Sequence, residues 1–151
     1  MLYAVVRVRG RTGIQPDIKH TMELLNLTRI NHCVLLKDTP QNRGMLQVCK
    51  DYVTWGEVSA DVLSQLIKKR GRLLGNKRLT EDVVKQKGYS GFDEFLEALY
   101  AGKVALAELG IKKVFRLNPP RKGYGTVKQP YPRGAVGNRG KDINMLLRRM
   151  I

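Results

Sequence analysis

Along the first sixty positions of the chain, segments with the apolar pattern of a strand alternate with segments whose apolar residues recur at the spacing of a helix. Runs rich in β-branched and aromatic residues predict strands over residues 2–8, 32–37 and 53–58. Between the first two runs, Ile18, Met22 and Leu25 recur at the spacing of one helix face, which predicts a helix over residues 16–27.

A second helix is predicted to begin at Pro40, because Thr39 can cap its N-terminus and proline suits a first helical position. Its apolar face would consist of Met45, Val48, Cys49 and Tyr52. Gly44 in its interior costs about 1 kcal/mol relative to alanine, which a close approach of a strand or a phosphate would explain. The β-α-β-α-β order predicts an antiparallel α+β sandwich whose helices cover one face of a small sheet.

Helical patterns dominate the second half of the chain. Ser59 suits the cap of a third helix, whose packed face would be Val62, Leu63, Leu66 and Ile67. Two short helices are predicted over residues 81–87 and 91–101, with Thr80 and Ser90 as their caps.

The chain is predicted to end with a strand, a loop and a helix. The strand covers residues 113–117, and a Gly/Pro-rich loop follows as far as about residue 140. The last helix, over residues 142–150, would turn four apolar residues inward: Ile143, Leu146, Leu147 and Met150.

Positive charge is concentrated at the two ends of this 151-residue chain. It has 28 basic and 13 acidic side chains, a formal net charge of +15. Residues 1–50 carry eight basic and three acidic side chains, residues 51–111 nine of each, and residues 112–151 eleven basic and one acidic. This distribution indicates a packed middle between two surfaces that face RNA.

The segment over residues 109–141 is the most basic part of the chain. It holds nine Lys or Arg, no Asp or Glu, and four of the six prolines. Such a segment buries little apolar surface and suits a dense array of negative charge, of which folded RNA is the commonest. We therefore predict that the loop over residues 119–141 reaches between RNA segments and becomes fully ordered only there.

The sequence offers little catalytic chemistry. Cys33 and Cys49 have no metal-ligand spacing and fit buried hydrophobic positions, and His20 and His32 fit solvated or core positions. No P-loop, dinucleotide-binding or nucleophile-elbow motif occurs. No apolar run reaches ~18 residues, so we expect a soluble intracellular protein without a membrane contact.

Two other classes of protein stay open at this point. A DNA-binding or chromatin protein would present a row of Arg, Asn or Gln on one helix, and no predicted helix offers this clearly. A small α+β enzyme acting on an anionic substrate would use Arg9 or Arg11 as an anion cradle, but a catalytic partner group is not evident.

Several basic residues fit contacts to a phosphate backbone. Arg7, Arg9 and Arg11 alternate at the end of the first strand and would point to one side, although charged residues also protect an edge strand from aggregation. Arg43 lies near a helix N-terminus, where anions are favoured, or is an ordinary surface arginine. We call the loop over residues 119–141 the basic loop. Tyr124 in this loop would either stack on an RNA base or fix the loop to the rest of the protein, and the same alternatives hold for Tyr131.

Residues 38–45, DTPQNRGM, resemble the D-T-P-x-x-R-G-M signature of a ribosomal protein family. This family is the large-subunit protein conventionally numbered thirty, whose longer eukaryotic counterpart is numbered seven. Arg9, the basic turn over residues 11–14 and the stretch TMELLNL over residues 21–27 are also similar to it, although Asn26 replaces the glycine of many members. Residues 69–74 and 115–121 resemble the extension of archaeal and eukaryotic members, and the absence of a long basic N-terminal extension favours the archaeal type.

The resemblance implies a ferredoxin-like core domain over residues 1–58 and, over residues 59–151, an extension packed on it. It also implies a structural constituent of the cytoplasmic large ribosomal subunit, without enzymatic activity or a cofactor. The implied partners are 23S-type ribosomal RNA and neighbouring ribosomal proteins, with the 5S rRNA as a further candidate. The residues that we expect to bind RNA are Arg7, Arg9, Arg11, Thr12, Thr39, Arg43, Arg116, Arg121, Lys122, Tyr124, Lys128, Arg133, Arg139 and Lys141.

Overall fold

The computed structural model describes residues 2–86 and 88–151, apart from the side chains of residues 108 and 109. The strands within these residues are β1 (Leu2–Arg7), β2 (His32–Lys37), β3 (Val53–Glu57), β4 (Val114–Arg116) and β5 (Gly137–Asn138). The α-helices are α1 (Pro16–Leu24), α2 (Pro40–Val48), α3 (Ala60–Arg70), α4 (Glu81–Gln86), α5 (Phe92–Tyr100) and α6 (Ile143–Met150). Short 3-10 turns occupy Leu74–Asn76, Leu106–Leu109 and Gly140–Asp142.

The strands form a single mixed sheet in the order β4-β2-β1-β3-β5. Strand β1 is central and antiparallel to both neighbours, so β2 and β3 run parallel to each other with β1 between them. The connection β2-α2-β3 is thus a split βαβ unit, and the predicted ferredoxin-like α+β core is confirmed. The two outer strands come from the second half of the chain: β4 pairs antiparallel with β2, and β5 pairs parallel with β3.

Both faces of the sheet are covered. Helices α1 and α2 pack on the face that carries Val5, Val34 and Val53, as the sequence predicts. The opposite face carries Ala4, Val6 and Cys33 and is covered by α3, α5 and α6. Residues on both sides of position 58 therefore share one apolar cluster, and the division into domains at that position stays a prediction.

The predicted packed faces of α3 and α6 are confirmed. Their four inward residues each, Val62, Leu63, Leu66, Ile67, Ile143, Leu146, Leu147 and Met150, are all buried. The predicted inward orientation of Val48 on α2 is wrong, since its side chain is 48% exposed while Leu46 is 1% exposed.

Ser59 occupies the predicted N-cap position of α3, but its hydroxyl makes no capping bond. The predicted cap at Ser90 is wrong, since the N-cap residue of α5 is Gly91. The Ser59 N–H donates to the Asn144 side chain (2.9 Å), which ties α3 to α6. The helix predicted over residues 81–87 is present as α4, and residue 87 lies outside the described residues.

Helix α1 ends earlier than predicted because the chain turns at Asn26, where φ is +61°. The Leu27 N–H donates to the Met22 carbonyl (2.8 Å) and the Asn26 N–H to the Glu23 carbonyl (2.9 Å), which together form a Schellman motif. Asparagine tolerates this left-handed conformation better than most residues, so it can replace glycine here. In the described part of the chain, no helix has the length and hydropathy needed to cross a membrane.

Candidate nucleic-acid interface

One end of the sheet gathers basic residues from distant parts of the chain. Strands β1 and β4 finish there and β2 and β3 begin there, since Arg7 is in register with Val53 and Arg116 with His32. We call this the basic end of the sheet. The turn after β1 places Arg9, Arg11 and Thr12 beside it.

Arg7 is part of the framework at the basic end. Only 3% of it is exposed, and its guanidinium donates to the carbonyls of Leu27 (2.6 Å), Gly10 (2.8 Å) and Arg9 (2.9 Å). Burial lowers the pKa of Arg7, and the charge of Arg11 lowers it further. The alternative that these arginines protect an edge strand is wrong, because β1 lies in the middle of the sheet.

Arg9 and Arg11 differ from Arg7 in their exposure. Arg9 is half-buried, with its guanidinium carbon 4.8 Å from the centre of the Tyr52 ring and a weak hydrogen bond to the Asp51 carbonyl (3.3 Å). Arg11 and Thr12 are exposed in the turn. Three alternating arginines were predicted to share one surface. Because Arg7 is buried, Arg9 and Arg11 are the two that can contribute to such a surface.

The DTPQNRGM segment builds the start of α2 at the opposite end of the sheet. Arg43 makes a two-pronged ion pair with Asp38, through Nε to Oδ1 (2.5 Å) and Nη2 to Oδ2 (2.6 Å), and this pair lowers the pKa of Asp38. The Thr39 hydroxyl accepts the N–H of Asn42 (3.2 Å), which is the predicted helix cap. Lys37, just before this segment, is in register with Leu2, so Thr39 and Arg43 are not brought together with the basic end.

The basic loop is held on the body by both of its candidate tyrosines. The Tyr124 hydroxyl donates to Asn31 Oδ1 (2.6 Å), and burial raises the pKa of this hydroxyl. The Tyr131 hydroxyl bonds to Asp142, and the guanidinium carbon of Arg139 lies 4.8 Å from its ring centre. Each tyrosine was predicted either to stack on an RNA base or to fix the loop to the rest of the protein. The structure shows the contacts of the second alternative.

Arg139 braces the same loop against β3. Its Nε donates to the Thr54 hydroxyl (3.0 Å) and its Nη2 to the Ala135 carbonyl (3.1 Å), while Thr54 donates to the Gly137 carbonyl (3.0 Å). Burial lowers the pKa of Arg139. A small apolar cluster of Val8, Ala135 and Val136 adds to this attachment. Full ordering of the loop only on RNA stays a prediction, but the loop is already anchored along much of its length.

The remaining predicted cations of the second half of the chain are exposed: Arg116, Arg121, Lys122, Lys128, Arg133 and Lys141. In the described structure, ion pairs join Arg43 to Asp38 and Lys68 to Asp93, and none involves these six residues. Their charges are therefore available to an anionic partner.

A polar cleft at the basic end contains residues that the sequence did not single out. Its volume is about 360 Å³, and it is lined by Asn26, Thr28, His32, Lys112, Lys113, Val114 and Arg116. His32 is buried there, and its pKa is lowered by burial and then by the charges of Arg116, Arg29 and Arg7. The acid-free stretch over residues 109–141 was the available signal for Lys112 and Lys113, whereas nothing in the sequence pattern indicated Arg29.

Comparison with known proteins identifies the family. Residues 3–53 match the family model described as Ribosomal protein L30p/L7e. The chain is 48% identical to large ribosomal subunit protein uL30 of Methanosphaera stadtmanae, over 99% of this chain and 100% of that protein. It is 49% identical to the uL30 proteins of Archaeoglobus fulgidus (99% of each chain) and Methanococcus maripaludis (100% of each chain). By these similarities the chain belongs to the L30p/L7e family of structural, non-enzymatic ribosomal proteins, in its archaeal type.

Proposed function

We propose that this protein is a constituent of the large ribosomal subunit that stabilises folded 23S-type ribosomal RNA through arginine and lysine contacts to phosphates. The observation that carries the proposal is the row of exposed cations between residues 116 and 141, which have no carboxylate partner in the described structure. Such contacts position RNA by its shape and charge, with little reading of base sequence.

The structure narrows the set of proposed contacts. Arg7, Tyr124 and Arg139 are committed to hydrogen bonds within the protein, and Thr39 and Arg43 are committed to the start of α2. The proposed phosphate partners are Arg9, Arg11, Thr12, Arg116, Arg121, Lys122, Lys128, Arg133 and Lys141. Cross-linking inside intact subunits would then assign the RNA segments, including any in 5S rRNA, and the neighbouring proteins.

Charge neutralisation in the basic loop tests the proposal without removing β5. We expect the triple variant Lys122→Gln, Lys128→Gln and Arg133→Gln to lower the slope of log K against log salt by about three, because each neutralised side chain removes one phosphate partner. The measurement is binding of the full chain to large-subunit rRNA over a series of salt concentrations.

The matched control replaces three exposed lysines outside the proposed interface, Lys19, Lys85 and Lys103, with glutamine. This control should keep the wild-type slope. A slope that is equal in both triple variants would remove the basic loop from the interface. Stronger competition by duplex DNA than by folded rRNA at matched salt would favour a DNA-binding protein instead.

A further inference from the structure

A second basic cleft lies at the outer edge of the sheet, beside β4. Its volume is about 170 Å³, and it is lined by Arg70, Arg72, Asn76, Lys112, Val114 and Arg116. We call it the β4 cleft. Three of its cations, Arg70, Arg72 and Lys112, belong neither to the sequence-based predictions nor to the phosphate partners of the proposed function.

The backbone of the extension builds this cleft. Helix α3 ends at Arg70, and the next residues run antiparallel to the segment before β4, with a bridge between Leu73 and Ile111. The Lys112 N–H donates to the Arg72 carbonyl (2.8 Å), so these two cationic residues are held side by side. Val114 and Arg116 lie on the same face of β4, and Lys112 lines the cleft together with them.

Three cations of the β4 cleft, Arg72, Lys112 and Arg116, have no ion-pair partner among the described residues. Arg70 is a fourth cation in its lining, which includes no carboxylate side chain of the described residues. The Nη2 of Arg70 donates to a main-chain oxygen of Ile151 (3.0 Å), but its buried Nε has no hydrogen-bond partner in the described structure. Crowded like charges and an unpaired buried donor are unfavourable, and an anion with several acceptor oxygens relieves both.

We propose that the β4 cleft binds a phosphodiester segment of ribosomal RNA, with Arg70, Arg72 and Lys112 as phosphate partners. This inference rests on the proposed function and extends the interface from the basic end to the edge of the sheet. The two clefts share Lys112, Val114 and Arg116, so they form one basic surface along β4. A continuous surface of this kind suits a polymer backbone rather than a single small anion.

The first test neutralises the two cations that the backbone places side by side. The double variant Arg72→Gln and Lys112→Gln should bind large-subunit rRNA with a salt slope lower by about two. The matched control is Lys19→Gln with Lys85→Gln, which should keep the wild-type slope. Thermal unfolding of each variant shows whether the fold is retained, and Lys112→Gln alone, with an expected decrease of about one, serves if the double variant unfolds.

The two proposals fail differently in this experiment. Absence of binding by the wild-type chain would overturn the proposed function. Normal wild-type binding, together with an unchanged slope in the folded cleft variant, would overturn the β4 cleft alone.

The second test places a photo-cross-linker beside the cleft, at Lys77→Cys. Burial raises the pKa of Cys33 to about 12 and that of Cys49 to about 11, so the introduced exposed thiol is the one that reacts near neutral pH. In reconstituted large subunits we expect cross-links to rRNA nucleotides, with a severalfold lower yield when Arg72→Gln and Lys112→Gln are added. Cross-links to protein alone would show that the cleft faces a neighbouring protein and would contradict the proposal.

Discussion

At the scale of single residues, arginine has three different roles in this protein. Arg7 holds carbonyls together, Arg43 pairs with a carboxylate, and Arg11 is exposed to solvent. These roles depend on which groups the fold brings near each guanidinium; the Leu27 carbonyl bonded to Arg7 is twenty positions away in sequence. Alternation along the chain therefore identified a basic region but not which of its members are free to bind.

Replacing Arg7 and Arg11 separately tests this difference. Arg7→Met should lower the free energy of unfolding by about 1–3 kcal/mol, because buried carbonyls lose their donors. It should leave the salt slope of RNA binding unchanged. Arg11→Met should do the reverse, with stability within ~0.5 kcal/mol of wild type and a slope lower by about one. Urea unfolding and salt-dependent binding provide the two measurements, and a lower slope in Arg7→Met would return Arg7 to the interface.

His32 should make stability depend on pH. It is buried among Arg116, Arg29 and Arg7, which with burial lower its pKa below 6.5 in the folded state, and Thr28 Oγ1 lies 3.4 Å from its Nδ1. The unfolded chain therefore binds a proton more readily, so the free energy of unfolding should fall as pH drops through about 6.5. Urea unfolding at several pH values should show a smaller fall in His32→Gln, whereas His20→Gln should retain the wild-type fall.

At the scale of secondary-structure elements, the sequence predicts the helices and strands whose own residues follow a regular apolar pattern. It misses the elements that form by pairing with residues far away in the chain. The faces of α3 and α6 and all of β2 follow from their own residues. Strand β5 consists of two residues within a Gly/Pro-rich loop, and it forms because they pair with Thr54 and Trp55. The residues near β5 in the sequence therefore carry no pattern that predicts a strand. The β4 cleft was missed for the same reason, since it joins the end of α3 to residues about forty positions later.

Two glycines in different elements should respond oppositely to alanine. A Cβ at Gly56 in β3 would collide with the Gly140 carbonyl, so Gly56→Ala should lower the free energy of unfolding by about 1–3 kcal/mol. A Cβ at Gly44 in α2 meets no described atom within 4 Å, so Gly44→Ala should raise it by roughly 0.5–1 kcal/mol. Thermal and urea unfolding of the two variants measure both changes. Equal effects in the two variants would show that β3 does not approach the Gly140 turn closely.

At the scale of the whole molecule, charge is separated between surfaces. A cleft between α3 and α5 includes Asp61, Asp93 and Glu97, whereas both clefts along β4 are lined by cations and no carboxylate. If the proposed function holds, this asymmetry orients the molecule as it approaches RNA, with the basic end and the edge of β4 leading. The acidic cleft between α3 and α5 would then not lead this approach.

The order of the strands also has a consequence for synthesis. The outer strands β4 and β5 come from the second half of the chain, yet they flank β2 and β3, which are synthesised first. During translation the early strands therefore emerge with unpaired flanks, and the nascent polypeptide is open to edge-to-edge association until its last quarter has been made. Any chaperone that protects this polypeptide would act most usefully by covering those temporary edges.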